Sequence, residues 1–172
     1  FSAGFISGIS YIGLAKYLYE NNIEKNIKNY IGSSVGTVFS LGLVLNYTID
    51  EMEYVMVKNF NVDNIVNINY LNLLDFNNNF GIDNGIKLSN FIKNIINFKT
   101  KNPYITFQQL YEITNKTIVC CVTNLDNNYS TEYFSNITTP NLPVWLAVRA
   151  SCSIPLFYNM MKTTMQTENK SN

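Results

Sequence analysis

YIGSSVGTVFSLGLVL, residues Tyr30–Leu45, joins a short apolar run to a long one through a serine set between two glycines. "NYIG" is short, alternating and bounded by a turn residue, which predicts a strand. From Val35 to Leu45 the apolar residues continue without a turn signal, too long for a strand and suited to a buried helix. A strand that turns sharply into a helix is the repeating step of α/β folds. Gly32-Ser33-Ser34-Val35-Gly36 also matches G-x-S-x-G, in which the serine tops a strained strand-to-helix turn and the glycines avoid collision with neighbouring backbone.

Working outward, the spacing of Ile9, Ile12, Leu14, Ala15 and Leu18 predicts an amphipathic helix ending near Asn21. "TIDEMEYVMVKNF" predicts another, with Thr48 and Glu51 at capping-box spacing. Residues 59–85 are rich in asparagine and read as a surface excursion with short helical pieces. The aromatic residues around Phe60–Phe80 fit either an insertion over the sheet or the wall of an apolar pocket. "IKLSNFIKNIINF" (86–98) predicts an amphipathic helix and "TFQQLYEIT" a short one. "KTIVCCVTNL" and "STEYFS" read as strands joined by a turn, and "LPVWLAVRASCSIP" as a helix running into a proline. The whole, 1–172, is one α/β domain: a mostly parallel sheet flanked by helices. Opening at Phe1 without a methionine and ending in a polar tail, it reads as a piece of a longer chain, truncated at both ends.

Composition narrows the function. Twelve acidic and twelve basic residues cancel, and Arg149 is the one arginine, so no nucleic-acid partner is expected. The longest apolar stretch is too short to span a bilayer, so no transmembrane segment is expected. Three cysteines, two of them adjacent, do not build a disulfide framework and fit a reducing, cytoplasmic setting. The chain contains no histidine, and with no cysteines at ligand spacing neither a metal nor any other cofactor is implied. About one residue in six is asparagine, a bias attributed here to AT-rich coding.

The missing histidine constrains any role for Ser34. An ordinary serine hydrolase uses histidine as general base, oriented by a carboxylate. In this chain Ser34 is therefore structural, or a carboxylate takes its proton directly, or the base lies outside these residues.

The chain resembles the patatin-like phospholipases, lipid acyl hydrolases with a Ser–Asp dyad on an α/β fold. "FSAGFISGISYIGLAKYL" is similar to the family's glycine-rich opening and first helix. "YIGSSVGTVFSLGLVLNYTIDEME" is similar to its nucleophile turn, and "PVWLAVRASCSIPLFY" to its A-x-R-A-S-x-x-I-P-x-x-F block. The resemblance implies Ser34 as nucleophile, Gly32 and Gly36 as the glycines of its elbow, and backbone N–H groups of Ala3, Gly4 and Phe5 as oxyanion hole. Gly8 would let the first helix start close to that loop. A lipid substrate at a membrane surface or lipid droplet would follow, with the protein peripheral at the membrane.

Three departures stand out. Ala3-Gly4-Phe5 replaces a triple glycine, and a lost oxyanion donor costs about 2.7–4 kcal/mol of transition-state stabilisation. Ser7 replaces a basic residue. The family's Asp-Gly-[Gly/Ala] motif is absent from the chain, so its aspartate is expected beyond Asn172. Asp50, Asp63, Asp75, Asp83 and Asp126 read as cap, turn and excursion residues and none is assigned as base. The rival reading is a catalytically inactive relative that binds lipid or a partner. An ordinary esterase with histidine outside these residues is weaker, because the A-x-R-A-S block has no place in it.

Overall fold

The structure, a computed structural model, describes residues 1–4, 8–59, 62–67 and 81–161. In chain order these form α1 (Ser10–Glu20), β1 (Asn29–Gly32), α2 (Val35–Val44), α3 (Ile49–Glu53), which widens into a π-helical turn over Tyr54–Asn59, and α4 (Val62–Ile65). There follow β2 (Gly81–Asp83), α5 (Ile86–Thr100), α6 (Phe107–Thr114), β3 (Thr117–Asn124), β4 (Ser130–Phe134), α7 (Val144–Ser151) and β5 (Leu156–Tyr158).

β3 is central in a three-stranded sheet. It runs parallel to β1, with Gly32 beside Cys120, and antiparallel to β4. β2 and β5 form a separate parallel pair. The helices flank the sheet: α2 lies on β1 and β3, α7 on β3, and α5 on α7. All ten residues of α2 are buried, so its apolar run was legible as an interior helix. Each fully buried Val, Leu or Phe there stabilises the fold by about 1.5–3 kcal/mol.

Local signals were reliable. The Thr48–Glu51 capping box is formed in full. A second one, Thr106 with Gln109, starts α6. The apolar face of α1 is narrower than the spacing predicts: Ile12 and Ala15 are buried, whereas Ile9 and Leu14 are 49% and 44% exposed. Tyr11 takes up that packing, its ring edge-on to Phe1 and Phe39. Of the adjacent cysteines, Cys120 is buried and Cys121 partly so, as opposite faces of a strand require.

Two elements went unread. β2 and β5 have three residues each, too few for alternation to show. β2 carries Asp83 into the interior, fully buried rather than on a surface excursion. Asp75 and most of the Phe60–Phe80 segment lie outside the described residues.

The asparagine content is also partly structural. Asn22, Asn46, Asn115 and Asn128 all have positive φ, and Asn115 is the left-handed C-cap of α6. Asparagine reaches that region more readily than other residues with a side chain.

Candidate active site

Ser34 stands at the junction of β1 and α2, beyond the carboxyl end of the parallel strands, where open α/β sheets place their crevices. Its backbone is at φ 54°, ψ −127°, a sparsely populated conformation that costs about 1–3 kcal/mol and persists only when the surroundings hold it. The side chain does not cap α2, and among the described residues no group hydrogen-bonds its Oγ.

The turn is tight because its glycines leave no room. A Cβ on Gly32 would lie 2.5 Å from the backbone N and Cα of Thr37. One on Gly36 would run into the Phe1–Ser2 backbone, and one on Gly8 would come within 2.8 Å of Val35 Cγ2. The start of the chain is thereby pressed against the turn. Ser33 N–H donates to Phe1 O at 3.1 Å, and the Phe1 amine donates to Ile31 O at 2.8 Å.

Tyr11 fixes this segment from the other side. Its hydroxyl accepts from Ser2 N–H at 2.9 Å and donates to Ser2 O at 3.0 Å. The pairing spans nine residues and carries no local signal in the sequence. Ala3 and Gly4 follow directly, with Gly4 O accepting from Gly8 N–H at 2.9 Å. Phe5 and Ser7 lie outside the described residues. Among the described residues the Val35 N–H has no partner, and it lies at the positive end of α2.

The turn is also held from α7. Ser34 N–H donates to Ser151 Oγ at 3.0 Å, and Ser151 Oγ–H donates to Cys121 O at 2.7 Å. Arg149, two residues earlier, is 1% exposed. Its Nη1 donates to Ser153 Oγ, and the guanidinium sits 4.6 Å over the Tyr158 ring. Burial pulls the guanidinium pKa down, with Tyr158, Cys152 and Asp83 acting against it. Burial, reinforced by Asp83, pushes the Tyr158 hydroxyl up to about 12.

No described carboxylate reaches Ser34. Asp50 is exposed in the first turn of α3. Asp63 is exposed on α4, and Asp126 is exposed in the turn after β3. Asp83 accepts N–H bonds from Gly85 (2.6 Å) and Asn67 (2.5 Å). A cavity of about 710 Å³ opens between α3 and α5, with Tyr47, Tyr54, Phe91, Ile95 and Phe98 in its wall. Its described lining includes no residue of the Ser34 turn or of segment 1–4. Among the described residues no cluster suited to a metal ion occurs, and no helix is long and apolar enough to cross a membrane.

Comparison with known proteins gives the family of the chain. The family model described as patatin-like phospholipase matches residues 1–168. The uncharacterized protein R571 of Acanthamoeba polyphaga mimivirus is 33% identical over 155 residues, covering 90% of this chain and 50% of that protein. Triacylglycerol lipase 5 of Saccharomyces cerevisiae is 27% identical, covering 90% of this chain and 21% of the lipase. The probable lipid hydrolase 463L of Invertebrate iridescent virus 6 is 25% identical, covering 94% of this chain and 54% of that protein. The chain thus spans about half the length of these viral relatives and about a fifth of the yeast lipase.

Proposed function

This chain belongs to the patatin-like phospholipase family, and we propose that it is the serine-bearing part of a lipid acyl hydrolase cleaving acyl esters of phospholipids or neutral lipids. The observation that carries the reading is the strained backbone of Ser34 at the N-terminus of α2. Strain of this kind clusters at active sites, where it presents a side chain that a relaxed turn would not. Relatives named as a triacylglycerol lipase and a probable lipid hydrolase support the substrate class.

In the proposed reaction Ser34 Oγ attacks the ester carbonyl while its proton passes to a base. The base is taken as the aspartate that the family resemblance implies, carried by an Asp-Gly-[Gly/Ala] motif that does not occur in these 172 residues. The tetrahedral oxyanion is met by N–H groups of loop 3–5 and of the turn at 34–36, aided by the positive end of α2. Collapse expels the alcohol and leaves an acyl-serine, which water then hydrolyses. No metal or cofactor takes part. The protein would act at a membrane surface or lipid droplet, from the cytoplasmic side.

One feature favours the inactive, lipid- or partner-binding alternative: Ala3 and Phe5 stand where the family has glycine, in the loop that must donate to the oxyanion. A fluorophosphonate probe on the full-length protein separates the two. Labelling that is lost in Ser34→Ala supports the hydrolase. A folded, full-length protein that does not label overturns it.

A further inference from the structure

Ser151 closes α7 with a hydroxyl shared among three separate pieces of the fold. A serine hydroxyl has one proton and two lone pairs. The proton goes to Cys121 O at 2.7 Å on β3. The oxygen must then accept from both Ser34 N–H and Thr37 Oγ1–H, each at 3.0 Å. Its capacity is full, which leaves Ser151 unable to act as base or nucleophile and fixes its orientation.

The helix that carries it is pinned from the opposite side. Residues two apart on an α-helix point about 200° from one another. Arg149 accordingly points toward the β2–β5 pair, over Tyr158, while Ser151 points to the turn at Ser34. The A-x-R-A-S stretch thereby becomes a strut with an anchor on each face.

We propose that Ser151 is a positioning residue for Ser34: it holds the N–H of Ser34 and so maintains the positive-φ backbone that presents Oγ. This rests on the hydrolase reading above. It also assigns the N–H groups of the turn. That of Ser34 is spent inward, so within the turn the oxyanion falls to Val35 N–H.

The experiment uses the full-length protein, a fluorophosphonate probe and a short-chain p-nitrophenyl ester, below the unfolding temperature of every variant. Ser151→Ala is expected to lower the labelling rate and kcat by about tenfold to hundredfold, with KM within about twofold, because Oγ is misplaced rather than binding lost. Ser151→Thr, which keeps the hydroxyl, restores both. Thr114→Val removes a comparably buried hydroxyl on α6, bonded to Leu110 O at 2.7 Å, and leaves both rates unchanged. Ser151→Ala at the wild-type rate overturns the proposal. Should that variant not fold, Ser151→Cys takes its place, since a thiol is a weak acceptor. If the wild type does not label, the hydrolase reading is what fails, and hydrogen exchange at the Ser34 amide decides the positioning role. Exchange at least about tenfold faster in Ser151→Ala supports it; equal exchange overturns it.

Discussion

The carbonyl oxygen of Phe1 stands in the space that a β-carbon on Gly36 would fill. The colliding atoms are backbone, held by the Ser33–Phe1 and Phe1–Ile31 hydrogen bonds, so they cannot rotate aside as a side chain would. Gly36→Ala is expected to push segment 1–4 off the turn. Overpacking of this kind costs about 1–3 kcal/mol of stability, and loss of one oxyanion donor costs about 2.7–4 kcal/mol of transition-state stabilisation. The variant should fold, with a lowered urea midpoint, and label with fluorophosphonate at least about a hundredfold more slowly. Wild-type labelling would show that the segment plays no part in the reaction.

Asp83 and Arg149 are both buried, and Asp83 accepts the N–H groups of Gly85 and Asn67. Asp83→Ala leaves two N–H groups without an acceptor and removes a buried carboxylate whose charge acts on the Arg149 guanidinium. The expected loss is about 3–5 kcal/mol in urea unfolding. Asp83→Asn keeps an acceptor oxygen and should lose less, about 1–3 kcal/mol. An alanine variant within about 1 kcal/mol of wild type would mean that water already reaches the pair.

Glu51 and Lys99 pair at 2.6 Å across α3 and α5. Burial pushes the Glu51 carboxyl up, but the hydrogen bonds from Lys99 and Thr48 outweigh it and hold the carboxyl below 4.5. Folding therefore favours the ionised form. The pair's contribution is full above the unfolded value and is lost as the pH falls through the lowered folded one. Glu51→Gln, which keeps the capping spacing, should cost about 0.3–1 kcal/mol at neutral pH. It should flatten the fall in stability as the pH drops through and below the unfolded carboxyl value. Parallel urea curves for the two proteins across that range would remove Glu51 as a source of acid sensitivity.

What was legible in the chain was local. The turn at Ser34 announces itself because the glycines, the serine and the apolar run that make it fall within sixteen residues. The capping box of α3 spans four. Tyr30 to Val44 therefore predicts the strand, the turn and the buried helix that the structure contains. β2 and β5 escaped because each is held by the other across more than seventy residues, with too few side chains to show a period. Asp83 looked like one more polar residue in an asparagine-rich stretch, since its burial depends on partners from α7 and β5. Ser151 meets Ser34 across 117 residues. Its sequence neighbourhood marked a family block, without indicating that the serine reaches the turn.

Gly85 and Arg149 impose an order on change. At Gly85, φ is +68°, and the guanidinium of Arg149 already fills the volume of a side chain there. Any other residue at 85 strains the backbone and forces the Arg149 guanidinium to move, and a smaller residue at 149 leaves space beside Gly85. Neither first step is neutral, so a single substitution at either position carries a cost. The two positions are therefore coupled: what one can hold depends on what occupies the other.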